Sequence, residues 1–94
     1  ESDEESPPDY VKISDNEYVF IGKILLHDFC RITSTSMAEF DAVKGEADTL
    51  AGLILEISGE LPAKGTELTY GRFHFVIESA DDRKINSVRV TINP

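Results

Sequence analysis

Hydrophobic and polar positions alternate along several stretches of the chain and recur at helical spacing along another. RFHFVIES places Phe73, Phe75 and Ile77 on one side of a strand and Arg72, His74 and Glu78 on the other. INSVRVTI repeats the pattern, with Val88, Val90 and Ile92 opposite Ser87, Arg89 and Thr91; Asp81–Asp82 mark the turn between the two strands. TELTY predicts a shorter strand just before them. Near the other end, YVKI and YVFIGKI flank the polar SDNE, so Tyr10 to about Ile24 predicts a hairpin turned at Asp15 and Asn16. Such alternation describes a sheet with one face buried and one face wet.

Between these strands the period changes. Leu50, Leu53, Ile54 and Ile57 follow the i, i+3, i+4, i+7 spacing of a helix with a core-facing stripe. Asp48 is placed to cap its first turn through the carboxylate, Gly59 suits the left-handed position past its end, and Pro62 prevents resumption. Gly52 costs about 1 kcal/mol relative to alanine inside a helix, which predicts a close approach by another backbone. HDFCRITSTS predicts a shorter helix opened by His27 or Asp28, with Phe29 and Ile32 on one face and a polar break at Thr33–Ser36. MAEFDAVKG predicts a short turn or an extended piece. The resulting order, β-β-α-α-β-β-β, is an α+β domain: an antiparallel sheet of about five strands with two short helices packed on one face.

Ninety-four residues suffice for one domain. The longest apolar run, Leu50–Ile57, is broken by Gly52 and Glu56 and is far too short to cross a bilayer. The formal charge is −9, from 9 basic and 18 acidic residues. Five of those acids, Glu1, Asp3, Glu4, Glu5 and Asp9, fall in the first nine positions, leaving 13 acids against 9 bases from residue 10 onward. Residues 1–9, with Pro7–Pro8 and no apolar period, therefore read as a linker or tether rather than a signal peptide, and residues 10–94 as the domain. An acidic surface repels phosphate backbones and anionic lipid, which argues against nucleic acid as a partner and against direct membrane insertion. The only methionine is Met37, so a piece of a longer protein is expected. The lone cysteine, Cys30, forms no internal disulfide and fits a reducing compartment as a small buried residue.

Candidate chemistry is sparse. A phosphate cradle needs a glycine-rich loop opening a helix, whereas KGEAD offers Gly45 alone beside Glu46 and Asp48, whose charges repel phosphate. His27 and His74 stand apart, no paired-cysteine or HExxH spacing occurs, and Glu78, Asp81 and Asp82 beside Arg83 and Lys84 read as a solvated hairpin tip. No serine or cysteine carries the local signature of a nucleophile, and no carboxylate pair stands out. No catalytic residue and no metal ligand is expected from these patterns.

Three segments together resemble the transporter-associated domain at the C-terminus of the CorC/HlyC family. They are YVFIGKILLHDF, ADTLAGLILEISGELPAKGTEL and FHFVIESADDRKINSVRVTI, and the resemblance spans Tyr18 to Ile92. Within the second, Asp48, Thr49, Gly52, Gly59, Pro62 and Gly65 match the family's motif as structural positions. LILEISGE and FCRIT are closest to its gliding-motility-associated, hemolysin-related branch. The resemblance implies a domain following a membrane-embedded region and a pair of CBS modules, on the cytoplasmic face of a bacterial inner membrane, with residues 1–9 as the tether. It also implies a fold similar to an FAD-binding subdomain of PCMH-type oxidoreductases.

Three functions are then expected in order. The first is a non-catalytic accessory or regulatory domain that modulates divalent-cation (magnesium/cobalt) efflux through contacts with the CBS pair of its own parent chain or with a second subunit. The second is a small-molecule sensor for FAD or an adenine nucleotide. The third is a dimerisation or assembly module. No cofactor is required by the first; FAD enters by fold analogy alone.

Overall fold

The computed structural model describes residues 9–93. Apart from Asp9, the linker expected at residues 1–9 lies outside the described residues. Five strands and two helices follow in the order read from the sequence: β1 Tyr10–Ser14, β2 Glu17–Ile21, α1 Leu26–Thr33, α2 Leu50–Ser58, β3 Glu67–Tyr70, β4 Phe73–Ala80 and β5 Ile85–Ile92, with one turn of 3-10 helix at Met37–Glu39 between the helices. The sheet is antiparallel throughout, in the spatial order β1-β2-β5-β4-β3. The fold is α+β.

Side-chain alternation explains the layering. Tyr18 and Phe20 of β2, Phe73, Phe75 and Ile77 of β4, and Val88 and Val90 of β5 are buried on the face that receives the helices. Leu26, Phe29 and Cys30 of α1 and Leu50, Leu53 and Ile54 of α2 close the core from above. A run of rings threads this layer: Phe20 meets Phe29 at 4.8 Å, Phe29 meets Phe40 at 6.0 Å, and Phe40 meets Phe73 at 5.2 Å between centroids. Phe40 is fully buried although it lies outside both helices, just after the 3-10 turn. Each such ring contributes on the order of 3 kcal/mol of transfer free energy. Ile85 is buried too, although β5's other core residues follow an even count. A β-bulge opposite Ser79 shifts the register and returns Ile85 to the inner face.

The helix starts depart from the sequence-based expectation. Helix α1 begins at Leu26, earlier than His27 or Asp28, and its N-cap Leu25 makes no side-chain capping bond. The reason lies in the main chain. Leu25 and Thr49 form an isolated antiparallel bridge, the Leu26 amide donates to the Asp48 carbonyl at 2.8 Å, and the Leu50 amide donates to the Ile24 carbonyl at 2.9 Å. The segments entering the two helices thus satisfy each other's end amides, which a helix otherwise leaves to side chains or water.

Candidate functional site

The motif positions Asp48, Thr49, Gly52, Gly59, Pro62 and Gly65 build the corner around α2. Asp48 is exposed, and its carboxylate is not the cap: Thr49 is, its hydroxyl accepting the Gly52 amide at 3.1 Å. The cap falls on Thr49 because that residue, held extended in its bridge to Leu25, directly precedes the first helical residue, Leu50. Gly52 stands against Ala47, whose methyl would lie 3.1 Å from an added Cβ, so the crowding comes from a side chain more than from a crossing backbone. Gly59 closes the helix in the left-handed conformation, with φ 81°, and donates to Leu55. Pro62 is buried. The Gly65 amide donates to the Ile77 carbonyl at 2.8 Å, starting the β3–β4 pairing. Gly52 and Gly59 thus stand at opposite ends of a helix, roughly 10 Å apart by its rise. The motif residues do not converge on one ligand; they fix a corner.

What does converge is a polar cluster that the sequence reading passed over. Thr35 is the one buried polar residue among the described residues. Its hydroxyl shares a hydrogen bond of 2.9 Å with that of Thr33, which in turn donates to the Phe29 carbonyl at 2.9 Å. Arg72, from the β3–β4 turn, reaches both Thr35, at 3.5 Å, and Glu39, at 3.3 Å, through Nη2, and its guanidinium lies over the Phe73 ring at 5.2 Å. Beside this cluster opens a cavity of about 460 Å³ lined by Thr33, Arg72, Tyr18 and Ile92 together with Asp15, Asn16 and Asn93. The signal in the sequence was the polar break at Thr33–Ser36, which reads as a loop until Arg72 is brought to it across 37 residues. A second cavity, of about 300 Å³, lies where the helices begin, between Leu25, His27, Met37, Lys44 and Asp48.

Among the described residues the other face of the sheet carries no helix. Arg89 sits at its centre, 3.3 Å from Glu17 and 3.2 Å from Glu78, and His74 bridges Glu67 at 3.2 Å and Thr69 at 3.1 Å. These pairs are half-exposed and each contributes no more than about 1 kcal/mol. At one edge, Tyr10, Val11 and Ile13 of β1 are exposed by 38, 53 and 46%; Tyr10 stacks on Phe20, while Val11 stands opposite Val19. Burial, with a contribution from nearby Glu39, pushes the Cys30 thiol up. The Asp81 carboxylate accepts the amides of Arg83 and Lys84 at 2.8 and 2.9 Å, which hold its pKa below the usual range. Among the described residues no group of three or more His, Cys, Asp or Glu is placed to hold a metal ion, and no helix is long and apolar enough to cross a membrane.

The profile of the family described as the transporter associated domain, CorC_HlyC, matches residues 11–94. The chain belongs to that family. This transporter-associated domain is 29% identical over 92 residues to the magnesium and cobalt efflux protein CorC of Escherichia coli K12, and 29% identical to that of Pasteurella multocida, covering 98% of the chain in both comparisons. It spans about three-tenths of the length of those relatives (30 and 29%). Among solved structures it is similar to the transporter associated domain of a CBS domain protein from Porphyromonas gingivalis, at 31% identity and TM-score 0.83, covering 93% of this chain and all of that one. A hemolysin domain of the same family from Xylella fastidiosa, determined in complex with Mg²⁺ and Mn²⁺, shares the fold at 15% identity and TM-score 0.75, over 93% of this chain and all of that one.

Proposed function

We propose that this transporter-associated domain is a non-catalytic accessory module of a larger CBS-pair membrane protein, and that it modulates divalent-cation efflux through protein contact on the cytoplasmic side. The family and the magnesium and cobalt efflux relatives support the setting. The observation that carries the contact role is the composition of β1. Three of the five exposed large hydrophobics among the described residues, Tyr10, Val11 and Ile13, stand on this one five-residue edge strand. An unpaired strand edge with apolar side chains is suited to main-chain pairing or packing with another element. The CBS pair of the parent chain is the partner this reading names. Coupling of about 1–3 kcal/mol between contact and transport state is sufficient for regulation.

The test is deletion of residues 10–94 from the full-length parent, with membrane insertion and cation flux measured together. Altered flux with normal insertion is expected; unchanged flux sinks the reading. A Val11→Lys, Ile13→Lys double variant localises the contact, because it leaves the core untouched and is expected to reproduce the deletion.

A further inference from the structure

We propose that the cavity beside Arg72 binds a small amino-carboxylate, a molecule carrying both a carboxylate and an ammonium group. The accessory role does not require this site, and the two stand or fall separately.

The walls supply both charges. Arg72 is held in place by Thr35, Glu39 and the Phe73 ring, all engaged through Nη2 or the guanidinium face. With Nη2 taken by Thr35 and Glu39, Nε and Nη1 have no partner among the described residues, and each can donate a single charge-assisted bond to a carboxylate. Asp15, in the β1–β2 turn, is an exposed carboxylate with no hydrogen-bond partner among the described residues. Asn16 and Asn93 add amides to the same cavity, and Tyr18 and Ile92 give it an apolar wall for a carbon skeleton.

The end of β5 fixes the spacing. The Ile92 amide donates to the Asn16 carbonyl and the Asn93 amide to the Arg72 carbonyl, both at 2.8 Å, so the two turns are clamped on either side of one strand end. Their backbones lie roughly 10 Å apart, two strand spacings, and both turns line the one cavity. The charges also discriminate. Arg72 is already paired with Glu39 at 3.3 Å, so a simple anion meets two carboxylates, Glu39 and Asp15, and a chain of net charge −9. A ligand that carries an ammonium beside its carboxylate offsets that repulsion at the Asp15 wall.

The experiment is an amide NMR titration of the chain with glycine and 4-aminobutyrate, alongside acetate and ethylammonium as single-charge controls. Saturable shifts at Asn16, Asn93 and Thr33 are expected with an amino-carboxylate, and weaker ones with the controls. Arg72→Gln and Asp15→Asn are each expected to weaken binding about tenfold, the scale of one lost charge-assisted contact. Asp15 lies in an exposed turn, so its variant retains the fold if Arg72→Gln does not. Shifts that stay linear for every probe, acetate binding as tightly as 4-aminobutyrate, or wild-type affinity in the Asp15 variant overturns the proposal.

Discussion

Gly22 faces the carbonyl oxygen of Ile85 so closely that a Cβ on Gly22 would stand 2.2 Å from it. The same glycine donates its amide to Asn86 and receives the amide of Ala51, so β5 and the first turn of α2 hold it from two sides. No side chain fits without moving a backbone. Gly22→Ala is therefore expected to destabilise the domain by about 3 kcal/mol, the upper part of the range for overpacking. Urea unfolding with an unchanged denaturant slope checks this. Gly52→Ala is the control: its Cβ meets the Ala47 methyl, the Thr49 hydroxyl and the Ala47 Cα at 3.1, 3.4 and 3.5 Å, with no contact as close as that at Gly22. The gain of about 1 kcal/mol in helix propensity offsets that crowding, and little net change is expected.

The two neighbouring candidates for the α2 cap are separable by mutation. Thr49→Ala removes the bond to the Gly52 amide and is expected to cost about 1 kcal/mol. Asp48→Ala leaves its carbonyl on Leu26 intact, and its thermal midpoint is expected to match that of the unaltered chain. Equal losses in both variants would mean that the carboxylate caps after all.

Cys30 is expected to resist thiol reagents. It is 3% exposed and its pKa is raised, first by desolvation. Thiolate is the reactive form, so labelling at pH 8 has to wait for opening of the domain. The rate of modification is expected to follow unfolding across a denaturant series. Rapid modification in the absence of denaturant contradicts the burial.

Asp81 has a lowered pKa because the Arg83 and Lys84 amides bind its ionised form. Its contribution to stability is present above the unfolded value of about 3.9 and is lost as the pH falls through the lower folded value. Carboxyl-detected NMR titration is expected to place Asp81 below the ordinary aspartate value of about 3.9. Asp81→Asn is expected to remove that portion of the acid sensitivity of the β4–β5 hairpin.

Much of this architecture was readable in the order of residues. The Phe73, Phe75, Ile77 and Val88, Val90 alternations placed two long strands and their inner faces, because burial on one side of a sheet imposes a period of two. Gly59 and Pro62 ended α2 for reasons that act within a few residues. What escaped was set by distant chain. Phe40 reads as part of an irregular polar segment until Phe29 and Phe73 surround it. Gly22 reads as an ordinary glycine after a strand until Ile85, 63 positions later, crosses it. Asp48 and Thr49 are both good caps by type, and the choice depends on the passage of Leu25 beside them. The polar cluster of Thr33, Thr35, Glu39 and Arg72 escaped for the same reason: the end of α1 and the 3-10 turn supply three members, and the β3–β4 turn supplies the fourth from 33 or more positions away.

The bridge between Leu25 and Thr49 ties the entrances of both helices at a single point. A helix that only rests on a sheet can slide or tilt independently of its neighbour. Here, axial displacement of α1 has to break the Asp48–Leu26 bond, and displacement of α2 the Ile24–Leu50 bond. A load on either helix is therefore shared with the other through this bridge, and the ends of the helices, at Ser34 and Gly59, lie farthest from the shared tie.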